Sequence, residues 1–93
     1  MIRIVGDSAE VSGPMTMAGA AVLLAEGEAA IAANASAFDL AAVTDMDSSC
    51  LAVVFGWMRA ARTAGKTLRI LNPPSNLLSL AAVYGVADLL PQS

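Results

Sequence analysis

The sequence predicts an α/β sandwich, one mixed β-sheet with helices packed mainly on one face. Three observations predict it. Apolar residues run almost without interruption through 38–43 and have strand composition at 67–71, whereas three other stretches repeat at helical spacing. The segments follow the order strand, strand, helix, strand, helix, strand, helix, so that two strand-helix-strand units follow a hairpin. A chain of 93 residues can bury one modest core and not two, so residues 1–93 are expected to form a single domain.

Ile2, Arg3, Ile4 and Val5 alternate weakly, Gly6-Asp7 or Asp7-Ser8 supplies turn chemistry, and 9–12 resumes an extended pattern, which together predict the hairpin. Gly13-Pro14 is expected to break its second strand. A helix follows over 16–33, capped by Thr16 or Ser12, with Met17, Ala20, Leu24, Gly27 and Ile31 as its stripe and Asn34 and Ser36 as stop signals. Gly19 and Gly27 each weaken it by about 1 kcal/mol relative to alanine, so it needs packing onto a sheet.

The near-continuous apolar run at 38–43 predicts a strand buried on both faces, with Asp39 as a carboxylate satisfied at a turn or strand end. A second helix is predicted over 48–64 and ended by Gly65, where a left-handed residue costs glycine little. Residues 67–71 form the next strand, stopped by Asn72-Pro73-Pro74. Ser75 or Asn76 opens a third helix, with Leu77, Leu80, Ala81 and Tyr84 at helical spacing up to Gly85. Residues 86–91 close the chain as a tail, with Leu89 and Leu90 packing on the sheet.

Composition excludes several functions. The net charge is −3 and the five cations are scattered, so no basic groove for nucleic acid is present. No apolar stretch reaches the roughly 20 residues that cross a bilayer, and the start lacks a signal-peptide pattern, which places the expected location in the cytoplasm. Histidine is absent and Cys50 is the sole cysteine. Intrachain disulfides and most metal sites are thereby removed; neither a metal nor a cofactor is expected. For Asp47 to activate Ser48, or for Cys50 to attack a substrate, a base is needed that the chain does not evidently supply, so no catalytic residue is assigned.

Polar, reactive side chains gather at Asp45-Met46-Asp47-Ser48-Ser49-Cys50, between the central strand and the second helix. Asp47 or Ser48 can cap that helix, and Ser48 can also present a hydroxyl at a helix N-terminus that favours an anionic group. At 100° per residue, Leu51, Val54, Met58 and Ala61 share the side expected to meet the sheet. The other side collects Ser49, Ala52, Val53, Gly56 and Ala60 with Trp57 at its flank, a small apolar face suited to close approach by a partner. Asp47, Ser48, Ser49, Ala52, Gly56 and Trp57 are therefore the candidate partner-binding residues.

Asp47-Ser48-Ser49 entering Leu51-Ala52-Val53-Val54, after a Phe38-Asp39-Leu40 strand and a Val11-Ser12-Gly13 segment, resembles the STAS domain family, which includes the bacterial anti-sigma factor antagonists. The resemblance implies that Ser48 holds the regulatory position that is phosphorylated in the antagonists. The short chain and its ending, Ala82 to Pro91, are most similar to the cytoplasmic STAS subunit of the Mla phospholipid ABC transporter (MlaB-like). That likeness implies a non-enzymatic module docking on the transporter's ATPase subunit, reaching the inner face of the inner membrane only through that partner. The alternative it implies is an anti-sigma factor antagonist whose partner is an anti-sigma factor kinase. Two departures matter: Cys50 stands where the antagonists usually have glycine, and Asp45 adds a carboxylate beside Asp47 that would repel a phosphate on Ser48.

Overall fold

In the computed structural model, which describes residues 1–90, the hairpin pairs β1 (Ile2–Val5) with β2 (Ser8–Met15) in antiparallel register from Ile2 opposite Val11 to Val5 opposite Ser8. Gly6 takes φ 62°, the positive value that a two-residue hairpin loop of this kind requires of its first residue. Contrary to expectation, Gly13-Pro14 does not end β2. The strand runs on to Met15, with its register shifted between Gly13 and Pro14. β1 accompanies β2 only as far as Val11, so Pro14 sits at a bulge beyond that partner, where a missing N–H is tolerated.

A short 3-10 turn (Met17–Gly19) leads into α1 (Ala20–Ala32), so the regular helix starts later than expected and Thr16 makes no capping bond. Its buried line is Leu23, Gly27, Ala30 and Ile31, while Met17 is 76% exposed. β3 (Ala37–Met46), α2 (Ser49–Thr63), β4 (Arg69–Leu71), α3 (Ser75–Val83) and a 3-10 turn (Ala87–Leu89) complete the described chain. Gly65, with φ 73°, ends α2 as expected. Leu90 is buried but Leu89 is exposed, so only one leucine of the tail joins the core; Pro91 lies outside the described residues.

The four strands lie in the order β1-β2-β3-β4, with β2 and β3 parallel and β3 and β4 parallel. Both crossovers step in the same direction across the sheet, and right-handed crossovers of that kind place α1 and α2 on one face. That face buries Ala9, Val11, Phe38, Leu40 and Ile70. β3 is therefore covered on one side only: Ala41 and Ala42 are exposed and Asp39 is half-buried. Asp39 sits within the strand, not at its end. Between the pairs Glu10–Asp39 and Ser12–Ala42 the strand gains a residue, and the Asp39 carboxylate accepts hydrogen bonds from the Ala41 N–H (2.9 Å) and Asn72 Nδ2 (3.0 Å).

The core centres on Trp57 and Phe38, both fully buried, with ring centroids 4.4 Å apart and planes tilted by 45°.

Candidate functional site

β3 delivers Asp47 to the first turn of α2. The Asp47 N–H donates to Met15 O at the end of β2 (3.3 Å), which fixes the residue between two parallel strand ends. Its Oδ2 accepts from the Met17 N–H (3.0 Å) and its Oδ1 from the Ser49 N–H (2.9 Å) and the Ser49 hydroxyl. One carboxylate thus caps α2 and ties it to the turn that opens α1. These donors, the Ser49 hydroxyl first and the Met17 N–H next, hold its pKa below the ordinary 3.8, so Asp47 is ionised at neutral pH.

Because Asp47 does the capping, Ser48 does not. It occupies the position before the helix with φ −62° and ψ −19°, forms no capping hydrogen bond, and is exposed. Cys50, two residues on, is fully buried, and desolvation followed by the Asp47 charge raises its thiol pKa, so the group is neither accessible nor nucleophilic. Among the described residues no group of three or more His, Cys, Asp or Glu could hold a metal ion.

The expected outward face of α2 is not outward. Val53, Gly56 and Trp57 are buried, and α1 covers them. Trp57 Nε1 donates to Leu23 O (3.1 Å), Gly27 leaves no Cβ where the indole lies, and a Cβ on Gly56 would fall 2.5 Å from Leu24 Cδ1. Small residues there serve helix–helix packing within the chain. Of the six candidates, Asp47, Ser48 and Ser49 come together at the helix start and Ala52 stays exposed one turn along, whereas Gly56 and Trp57 are removed from the surface.

The face that does reach solvent lies roughly 90° around the helix and runs through the exposed Ser48, Ala52, Arg59 and Arg62, with the half-buried Phe55 among them. Beside it, Ser48, Leu51, Phe55, Tyr84 and Val86 line an open groove of about 320 Å³ between α2 and the end of α3. Leu51 and Phe55 form one wall, and Tyr84, 58% exposed, stands on the other. Phe55, Tyr84 and Val86 were not among the sequence candidates. The available signal was Arg59 and Arg62, whose charges mark the solvent side of α2 and whose line passes through Phe55 and Ser48.

A family model described as Mlab, STAS domain, matches residues 5–91. No curated protein matches the chain. Among solved structures, the anti-sigma factor antagonist SpoIIAA in its unphosphorylated form superposes with a TM-score of 0.68 at 19% identity, covering 100% of this chain and 86% of that one. The Bacillus cell fate determinant SpoIIAA in its phosphorylated form superposes at 0.64 with 17% identity, covering 100% and 89%. At such identities the likeness is one of fold.

Proposed function

Because this chain belongs to the STAS domain family, we propose that it is a non-enzymatic interaction module that docks on the ATPase subunit of a phospholipid (Mla-type) ABC transporter and supports its assembly or activity. The Mlab description of the matching family supports the choice of partner. The observation that carries the reading is the pairing of a free, exposed Ser48 hydroxyl with an apolar groove at the same end of α2. A partner side chain seated against Leu51, Phe55, Tyr84 and Val86 gains apolar burial, and Ser48 supplies a hydrogen bond at the rim. No helix among the described residues is long and apolar enough to cross a membrane, so contact with the bilayer runs through the transporter. The site offers binding and no chemistry: the hydroxyl has no histidine to activate it and the thiol is sealed in the core.

Calorimetric titration with the ATPase subunit tests the assignment. Tyr84→Ala and Ser48→Glu should each weaken binding at least about tenfold, since the first removes an aromatic anchor from the groove wall and the second sets a charge against the apolar contact. Wild-type affinity in both variants would remove the groove from the interface.

A second reading, an anti-sigma factor antagonist switched by phosphorylation of Ser48, draws support from that same unengaged hydroxyl and from the fold shared with the two forms of SpoIIAA. Against it, a phosphate carrying about −1.5 to −2 charges would sit next to the ionised Asp47. Incubation with an anti-sigma factor kinase followed by intact-mass measurement separates the two, a single added phosphate on wild type and none on Ser48→Ala favouring the switch.

A further inference from the structure

The exposed line of α2 has a chemical direction. Ser48, Ala52, Phe55, Arg59 and Arg62 fall within an arc of roughly 80°, and Arg59 lies about 6 Å along the axis beyond Phe55. The two arginines have no carboxylate within 4.0 Å among the described residues, whereas Arg3 pairs with Glu10 and the Lys66 ammonium donates to Ile31 O and Asn34 Oδ1. Of the 5 basic residues, Arg69 on β4 is likewise without a carboxylate among the described residues, but only Arg59 and Arg62 are neighbours on α2, following the groove residue Phe55 along the helix, while Asp47 directly precedes the groove residue Ser48. The helix dipole accounts for Arg62, which is in the last turn of α2, but not for Arg59, nearly a turn further in.

Resting on the docking reading above, we infer that the partner presents an amphipathic segment whose apolar anchor fills the groove at Phe55 and whose acidic side chain, about one helical turn further on, pairs with Arg59 and Arg62. A segment lying the opposite way would bring its carboxylate toward Asp47, and that repulsion selects a single direction of docking. The arginines set specificity and encounter rate, and the groove holds the complex.

The test is titration of the transporter ATPase subunit into the full chain at about 50 mM and about 300 mM salt, a range over which screening of exposed pairs changes strongly. Wild-type affinity should fall as salt rises. The double variant Arg59→Glu/Arg62→Glu should bind at least about tenfold more weakly at low salt and lose the salt dependence, and Arg59→Lys/Arg62→Lys should retain most of the affinity. Circular dichroism of each variant checks that the fold is kept. If the glutamate variant binds like wild type at both salts while Tyr84→Ala is impaired, the groove stands and the charge pairing is overturned. Failure of the wild-type chain to bind takes down the docking reading and the pairing with it. Loss of wild-type binding to anionic phospholipid vesicles in the glutamate variant would assign the arginines to the bilayer surface and overturn the protein partner.

Discussion

Two sides of α2 are built from similar residues and do opposite things. On the side turned to α1, Val53, Gly56 and Trp57 are sealed against Leu23, Leu24 and Gly27. On the side turned to solvent, Ser48, Ala52 and Phe55 carry no more charge until Arg59, yet they remain open beside the groove. Small apolar residues therefore do not by themselves say whether a helix face awaits a partner or already has one. The neighbour decides, and here α1 takes the flank where glycines allow the closest approach.

Substitutions can break this contrast. The largest effect is expected on the sealed side: Trp57→Ala should destabilise the fold by about 3–5 kcal/mol in urea unfolding, since it empties the centre of the core and deletes the bond to Leu23 O. Gly27→Ala should follow with about 1–3 kcal/mol, because the new methyl group overlaps the indole ring. Partial recovery in a Gly27→Ala/Trp57→Leu double variant would show that the two costs share one cause.

Asp47, at the junction of the two sides, should show itself through pH. Its folded-state pKa is depressed, so its stabilising bonds are complete above the ordinary value of 3.8 and are lost as pH falls below it. Asp47→Asn should flatten the decline of stability with falling pH in that acid range, as followed by thermal unfolding at stepped pH. The smallest effect belongs to the open side. Ser48→Ala should shift stability by no more than about 0.5 kcal/mol, because no capping bond is lost. A loss near 1 kcal/mol, the usual cost of removing a cap, would show that Ser48 does cap α2.

The class of fold and the order of its elements were legible in the sequence because each rests on local periodicity: the helical spacing after Ser49, the glycine at 65 and the hairpin loop at Gly6 all act within a few residues. The polar junction at Asp47-Ser48-Ser49 was legible for the same reason. What local pattern could not give was the rotation of α2, since the helical wheel ranks faces by apolarity and α2 is apolar on both flanks. Its rotation is set by α1, more than twenty residues upstream, through the contact of Trp57 with Leu23 and Gly27. Pro14 was misread for a related reason: a proline argues against a strand only where the strand is flanked on both sides, and pairing partners are not visible locally. Tyr84 and Val86 reach the groove from a helix end that only the tertiary fold brings beside Phe55.

The absent side chain at position 27 also constrains how this protein can vary. Since the indole of Trp57 occupies the space that any Cβ there would need, position 27 can gain a side chain only if position 57 changes with it. A relative that folds in the same way and carries a side chain at the position of Gly27 should carry something smaller than tryptophan at the position of Trp57, and co-substitution at these sites would be the trace that α1 and α2 keep the same seat across the family.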